Sequence, residues 1–211
     1  MPETRPFDID ASHTALVVVD MQNDFVRVGA PLEVPDARQT IGPIQEVARA
    51  FRKAGRPVIF TRFVTGPAET LLWKWSPQIY PPVNCCRIGF RRHYRDIGAE
   101  RECLAVIDEL AAQPGDHVVD KFGYGAFFRT NLVDLLASEK ADTVVIAGTV
   151  TQICVEETGR ESFHHGFKTV LLADAVSSFD PELHAATLKN FAMKFGLVMD
   201  SPRFLRRWTS T

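Results

Sequence analysis

The stretch GTVTQICVEETGRESFHHGF, residues 148–167, follows a run of apolar, mostly β-branched residues, Thr143–Ala147. Short apolar runs bounded by turn residues are typical of buried strands in a parallel sheet. The helical pattern after this run ends at Gly166, where a C-cap glycine belongs. The stretch therefore predicts a strand, a turn that carries Cys154, and a helix.

Five further segments have the same strand character, and helical patterns lie between most of them. In Ile41–Ala54 the apolar residues share one face, and Asp180 followed by Pro181 marks the start of another helix. Alternating strands and helices predict a single-domain, Rossmann-like three-layer α/β/α sandwich with a mostly parallel six-stranded sheet. The five segments are Ala15–Asp20, Pro57–Thr61, His117–Asp120, Thr169–Leu172 and Leu197–Met199.

Composition narrows the class of protein. The 211 residues are 45% hydrophobic, and 24 basic against 26 acidic residues give a net charge of −2, with no basic surface for nucleic acid or membrane. The N-terminal MPETRPFDIDAS has no apolar core of a signal peptide, and no apolar run approaches a membrane span. Four cysteines do not make a disulfide framework in a chain of this length. These features predict a cytoplasmic protein with reduced thiols.

One region interrupts the alternation. Residues 62–98 are rich in proline, aromatic residues and arginine, and they show no clear period. A long aperiodic segment is usually functional or disordered, and the aromatic residues argue against disorder. We expect a lid or an oligomer contact at about residues 62–98 of a domain that spans 1–211.

Three polar residues stand at the ends of predicted strands. Asp20 closes the first strand, Lys121 follows the third, and Cys154 follows the fourth. Ligands of open α/β sheets bind at the carboxyl ends of the strands, so these side chains can converge. Cys154 would then be a nucleophile, Asp20 its base and Lys121 an orienting cation. N–H groups at the helix start would favour the thiolate and stabilise an oxyanion.

Each of these residues also has an ordinary structural explanation. A single cysteine after a strand is more often buried packing, an aspartate there is often a turn cap, and a lysine is usually on the surface. Their joint occurrence at three strand ends favours function, but spacing alone does not decide.

Three motifs, VVVDMQNDF, DKFGYGAFFRTNL and AGTVTQICVEETGRESFHHGF, together resemble the isochorismatase-like cysteine hydrolase superfamily. That superfamily includes nicotinamidases, N-carbamoylsarcosine amidohydrolases and ureidoacrylate amidohydrolases. The resemblance implies a catalytic triad of Asp20, Lys121 and Cys154. It also implies a cis peptide between Val150 and Thr151, and an oxyanion hole formed by the N–H groups of Thr151 and Cys154.

Departures from the superfamily pattern narrow the expected chemistry. The stretch after the second strand, FTRFVTGPAETLLWKW, lacks the Asp-x-His of metal-binding nicotinamidases, so we expect no metal and no other cofactor. True isochorismatases typically lack the nucleophilic cysteine. Cys154 therefore favours hydrolysis of a C–N bond in a small amide or ureido compound through a thioester.

Other functions stay open at this point. They are a vinyl-ether hydrolase of the isochorismatase type, a non-catalytic protein that binds a small acid, and a thiol redox sensor. The vicinal pair Cys85 and Cys86 lacks CxxC spacing, which argues against a metal site there.

Candidate substrate-binding residues come from the loops. An arginine of the region 62–98, Arg91 or its neighbour Arg92, would bind a substrate carboxylate. An interface or solvated loop is at least as plausible for that segment. Candidates for an apolar pocket are Phe25, Trp73, Tyr124 and Phe127. The expected partner is a small-molecule amide or ureide, with neither nucleic acid nor membrane, and we expect a homo-oligomer, a dimer or tetramer.

Overall fold

The computed structural model describes residues 7–208, and its centre is a six-stranded sheet in which every neighbouring pair is parallel. The strand order is β5-β2-β1-β6-β7-β8. A separate antiparallel hairpin joins β3 and β4. The strands are β1 (Thr14–Val19), β2 (Val58–Phe63), β3 (Arg91–Tyr94), β4 (Ala99–Glu102), β5 (His117–Lys121), β6 (Thr143–Thr149), β7 (Lys168–Ser177) and β8 (Leu197–Met199).

Helices cover both faces of the sheet. They are α1 (Asn23–Val26), α2 (Ile41–Lys53), α3 (Leu71–Trp75), α4 (Leu132–Ser138), α5 (Glu156–His164), α6 (Pro181–Lys194) and α7 (Ser201–Trp208). Short 3-10 helices span Ala11–His13, Pro35–Thr40, Pro77–Ile79 and Asp108–Leu110, and a π-helical turn spans Thr151–Val155. In the part of the chain described, no helix is long and apolar enough to cross a membrane.

Strand β1 shows how one sequence pattern fills two cores. All six of its residues are buried. Leu16 and Val18 belong to the core under α2 and α7, while Val17 and Val19 belong to the core under α4 and α6. Successive side chains of a strand point to opposite faces, so a strand buried on both faces has to be apolar throughout.

The predicted fold class is confirmed: the sheet is parallel and helices flank it. The predicted helix starting after Asp180 is also present, and the Asp180 carboxylate accepts hydrogen bonds from the N–H groups of Glu182 and Leu183. Strand β7 is longer than predicted because it continues to Ser177 past an irregularity in its pairing with β6. The expectation about a signal peptide falls partly on residues 1–6, which lie outside the described part.

Residues 62–98 contain more regular structure than the sequence indicated. They include the end of β2, helix α3, a 3-10 turn and strand β3 of the hairpin. The hairpin escaped prediction because β3 and β4 are short and rich in charge, so neither shows apolar alternation. A role for this segment as a lid or an interface stays a prediction.

Close packing of β1 against β6 requires a glycine at position 148. Gly148 pairs with Val19, and a Cβ placed on it would lie 2.0 Å from the Val19 carbonyl oxygen. Its φ of +113° is also a backbone conformation that side chains rarely adopt. The two strands that carry Asp20 and Cys154 therefore approach each other only because position 148 has no side chain.

We expect Gly148→Ala to lower the free energy of unfolding by ~3 kcal/mol, because overpacking and backbone strain act together. The control is Gly42→Ala in α2, where a Cβ meets nothing within 4 Å. That change should be neutral or slightly stabilising. Denaturant unfolding of both variants measures the difference. Equal stability of the two variants would contradict the close-approach argument.

Candidate active site

The three strand-end residues meet at the carboxyl edge of the sheet. Asp20 follows β1, Lys121 is the last residue of β5, and Cys154 lies in the π-helical turn after β6. Strand β2 lies between β1 and β5, so the long lysine side chain spans the distance to Asp20. The structure thus brings together three residues that are separated by up to 134 positions in the chain.

Asp20 is held in a strained and fully buried position. Its φ is +50°, a region that non-glycine residues seldom adopt, and its exposure is 0%. The Thr61 hydroxyl donates to its Oδ1 at 2.7 Å. Its Oδ2 lies 2.7 Å from the Nζ of Lys121, and the carboxylate also interacts with the Cys154 thiol. One carboxylate oxygen is therefore oriented by a neutral donor and the other by a cation, beside a thiol whose proton the carboxylate can accept.

Lys121 is a buried cation whose ammonium group donates to fixed acceptors. Its Nζ donates to the carbonyl oxygens of Gly123 and Tyr124 at 3.0 and 2.9 Å, in addition to the ion pair with Asp20. Burial disfavours the charge, but the carboxylate of Asp20 and the neighbouring Cys154 raise the pKa of Lys121 above its ordinary value. The ammonium group therefore stays charged and fixed beside Asp20.

Cys154 faces the same pair from the next strand. Its side chain is 4% exposed and interacts with both Asp20 and Lys121. Burial raises the pKa of its thiol to about 12; Lys121 opposes that rise and Asp20 adds to it. The raised pKa favours the neutral thiol in the resting protein, whereas we expected the surroundings to favour the thiolate. Desolvation of the charged form outweighs the cation, so deprotonation requires a base, and Asp20 is in place for it.

The turn before Cys154 contains a cis peptide, but at a different bond from the one expected. The non-proline cis bond joins Thr149 to Val150, so the expected position between Val150 and Thr151 is wrong by one residue. Strand β6 continues to Thr149 and the π-helical turn begins at Thr151, which leaves Val150 as the single residue between them. The carbonyl oxygen of Val150 accepts hydrogen bonds from the N–H groups of Ile153 and Val155.

A cavity of about 770 Å³ opens above Cys154. Its wall is mostly apolar, with rings contributed by α1, β2, α3 and the loops after β5 and β7. A concave, largely apolar pocket with a few polar groups is the usual form of a small-molecule site. The residues that line it are Phe25, Pro31, Leu32, Glu33, Phe63, Trp75, Ser76, Gln78, Tyr124, Val150, Ile153, Cys154 and Phe179.

Two of the candidate binding residues line this cavity and three do not. Phe25 and Tyr124 are in its wall. Trp73 instead packs edge-on against Tyr80 in the core, because residues two apart on a helix face different ways and Trp75 takes the cavity side. Phe127 stacks on His165 with centroids 5.1 Å apart.

Arg91 lies in the hairpin, and its guanidinium donates to the carbonyl oxygen of Glu100. Its side chain is 54% exposed. Arg91 is not among the residues that line the cavity. The structure therefore gives no support to the expectation that Arg91 binds a substrate carboxylate, which stays a prediction.

The neighbouring Arg92 has a structural task. Its Nε lies 3.2 Å from the Oδ1 of Asp24, which is fully buried, and its Nη2 donates to the carbonyl oxygen of Val83. The Asp24 carboxylate also accepts from the Tyr94 hydroxyl and the Cys86 N–H. This network connects the segment 62–98 to helix α1, which follows Asp20 closely in the chain.

We expect Arg92→Met to lower the free energy of unfolding by about 3 kcal/mol, because it leaves the buried Asp24 carboxylate without its cation. Arg91→Met is the matched control and should change stability by less than ~0.5 kcal/mol. Thermal and denaturant unfolding measure both. Similar values for the two variants would show that the Asp24 network does not anchor the segment.

One cluster within residues 7–208 has the donor atoms for a metal ion. A carboxylate oxygen of Asp24 and the sulfurs of Cys85 and Cys86 all lie within 4.8 Å of one another and are buried. Burial and the nearby Asp24 carboxylate contribute to raised pKa values for both thiols. The Asp24 carboxylate already accepts three hydrogen bonds from the protein, so the cluster fits a structural anchor better than a metal centre.

Several residues of the site escaped the sequence analysis. Thr61, which orients Asp20, is the one hydroxyl in the apolar run PVIFT, and that was an available signal. Trp75, Gln78 and Phe179 come from segments with no periodic pattern, and nothing in the sequence marked them as neighbours of Cys154.

Comparison with known proteins shows the family of this chain. The family model described as the isochorismatase domain matches residues 14–203. The chain belongs to the isochorismatase family. A ureidoacrylate amidohydrolase from Pseudomonas syringae pv. syringae (strain B728a) is 34% identical over 207 residues, which cover 92% of this chain and 83% of the relative. A second, from Rhizobium rhizogenes, is 32% identical, with 92% and 82% covered.

Two solved structures of hydrolases superpose on this chain over most of its length. A cysteine hydrolase from Pseudomonas syringae pv. phaseolicola 1448A has a TM-score of 0.87 at 27% identity and covers 100% of this chain and 99% of its own. An N-carbamoylsarcosine amidase from Thermoplasma acidophilum has a TM-score of 0.70 at 29% identity, with 89% and 96% covered. The predicted isochorismatase-like fold is confirmed.

Proposed function

We propose that this isochorismatase-family protein hydrolyses the C–N bond of a small amide or ureido compound with Cys154 as nucleophile and Asp20 as base. The observation that carries the proposal is the buried set of Asp20, Lys121 and Cys154 at the floor of an apolar cavity. The amidohydrolase and amidase activities named for the relatives support C–N hydrolysis. These relatives confirm the expectation, made from the sequence, that the protein is an amidohydrolase.

The first half of the reaction transfers the acyl group to the protein. The Oδ2 of Asp20 takes the thiol proton as the Cys154 sulfur attacks the substrate carbonyl carbon. The N–H groups of Thr151 and Cys154 donate to the oxyanion of the tetrahedral intermediate. Protonated Asp20 then gives its proton to the leaving nitrogen, the C–N bond breaks, and a thioester remains on Cys154.

The second half releases the acid. Asp20 removes a proton from water, and the resulting hydroxide adds to the thioester carbonyl. Collapse of this intermediate breaks the C–S bond, and the proton on Asp20 returns to the Cys154 sulfur. The product is the carboxylic acid, or carbamic acid from a ureide, and the protein returns to its starting state.

Lys121 acts through Asp20 in this scheme. Asp20 and Cys154 share one negative charge while the proton moves between them, and the fixed ammonium 2.7 Å from Oδ2 attracts that charge and holds the carboxylate in place. Because burial strengthens this attraction, the lysine matters more here than a surface lysine would.

Release of ammonia or amine from a panel of amides, ureides and a vinyl ether tests the proposal. We expect turnover of at least one amide or ureide and none of the vinyl ether. A redox sensor would release no ammonia and would lose its thiol reversibly with peroxide. Turnover of the vinyl ether alone, or ammonia release that persists in Cys154→Ala, would contradict the proposal.

The homo-oligomer and the cytoplasmic location stay predictions. Sedimentation or light scattering measures the oligomeric state directly.

A further inference from the structure

The wall of the cavity above Cys154 carries little charge. Glu33 is the one charged residue among the described residues that line the cavity, and Ser76 and Gln78 are uncharged polar residues of the same wall. The wall carries five aromatic side chains, those of Phe25, Phe63, Trp75, Tyr124 and Phe179. A substrate that enters therefore meets rings and one carboxylate.

Glu33 is fixed at the wall. Its Oε2 accepts a hydrogen bond from the Gly29 N–H at 2.8 Å, and its Oε1 pairs with the Arg38 Nη1 at 2.9 Å. The Glu33 side chain is 23% exposed. Its carboxylate is thus held beside the cavity in one orientation, and the Arg38 guanidinium offsets part of its charge.

The nearby cations are engaged with other groups. Arg38 is paired with Glu33, and its Nη1 also donates to the carbonyl oxygen of Val26 at 2.8 Å. Lys121 directs its ammonium group at Asp20 and two backbone carbonyls. A substrate carboxylate would lose water on entry without a dedicated ion pair in return, and it would face Glu33.

We propose that the substrate of this site has an uncharged, apolar acyl group, aromatic or extended aliphatic, and that Glu33 is a specificity-determining residue that disfavours carboxylates. This inference rests on the proposed C–N hydrolysis. It places the substrate in a different class from ureidoacrylate, which is an acid. The cavity volume of about 770 Å³ lies in the range that holds drug-sized ligands.

Rings at the cavity mouth supply a second argument. Trp75 is 79% exposed and Phe179 is 57% exposed, although both line the cavity. An apolar acyl group that extends from the Cys154 floor to the mouth would cover these two rings and remove their apolar surface from water.

Binding to the Cys154→Ala variant tests the proposal without any need for turnover. The ligands are 3-phenylpropanamide and 3-(4-carboxyphenyl)propanamide, which differ by one charged group, and the measurement is isothermal titration calorimetry at pH 7.5. We expect the neutral amide to bind at least 10-fold more tightly. Equal affinities, tighter binding of the carboxylate, or no binding of the neutral amide would overturn the proposal.

Charge removal at two positions identifies the residue responsible. In the Cys154→Ala background, Glu33→Gln should reduce the ratio of the two Kd values by about 10-fold, because it removes the repulsion between Glu33 and the ligand carboxylate and frees Arg38. Glu46→Gln, on an exposed position of α2, makes the same change in net charge and should leave the difference as it was. Equal effects of the two variants would exclude Glu33 as the determinant.

Turnover by the intact protein separates this inference from the proposed function. Ammonia release from both amides, with faster turnover of the carboxylate, would support the proposed hydrolase activity and contradict the proposed substrate class. Selective binding of the neutral amide, without ammonia release from any amide or ureide, would support the proposed ligand class and contradict the proposed hydrolase activity.

Discussion

Cys154→Ala should lower kcat/KM for a substrate amide by at least ~10⁴-fold, because the nucleophile is absent and only binding and oxyanion contacts remain. The Kd for the substrate should change little, because the substitution removes one sulfur atom from the floor of the cavity and leaves the rest of the wall unchanged. Steady-state kinetics and calorimetry measure the two quantities.

Cys103→Ala is the matched control for this result. Cys103 is also fully buried, and burial raises the pKa of its thiol to about 11, but it does not line the cavity. Turnover should be retained in that variant. Near-normal turnover in Cys154→Ala would show that no thioester on Cys154 is required.

The same thiol should be the first to react with iodoacetamide, because it is the cysteine among the four that lines the cavity. Its pKa of about 12 means that the thiolate fraction increases with pH far above neutrality. The labelling rate in the free protein should therefore keep rising through pH 10, and a bound amide should slow it. A plateau near pH 7 would indicate a resting thiolate instead.

Asp20→Asn and Lys121→Met should each lower kcat/KM by about 10³-fold or more, and the double variant should be hardly worse than the poorer single one. Residues that work on one proton are not additive, because removing either leaves the other without its role. Asp20 lacks orientation of its Oδ2 without Lys121, and Lys121 has no carboxylate to hold without Asp20.

Stability has to be measured beside the kinetics for these variants. Lys121→Met leaves a buried carboxylate without its cation, which typically destabilises a protein by about 3–5 kcal/mol, whereas the double variant removes both charges. Denaturant unfolding gives the folded fraction for each variant. Additive losses of kcat/KM in fully folded variants would mean that the two residues do not act as a unit.

The core of this fold was predictable because burial fixes the residue types. Strands such as β1 and β6 are covered on both faces, so only apolar residues fit, and the runs are visible in the sequence. The convergence of Asp20, Lys121 and Cys154 followed from the same logic, since parallel strands bring their carboxyl ends to one edge. Their roles in catalysis stay predictions.

The cavity wall was less predictable because its residues come from loops. Trp75 and Trp73 have the same local signal, and only the packing of α3 against Tyr80 decides which faces the cavity. Arg92 has the side chain of a typical carboxylate-binding residue, yet the Asp24 carboxylate, 68 positions earlier in the chain, holds it in a structural ion pair. Contacts of this range set the shape of a loop and leave no local pattern.

The existence of a shared acyl intermediate is tested most directly by product partitioning. Two amides of one acid, one with ammonia and one with methylamine as leaving group, are turned over in the presence of hydroxylamine, and hydroxamate and acid are quantified. A thioester on Cys154 has already lost the leaving amine, so the account predicts the same ratio of hydroxamate to acid from both amides. A ratio that depends on the leaving amine would contradict it.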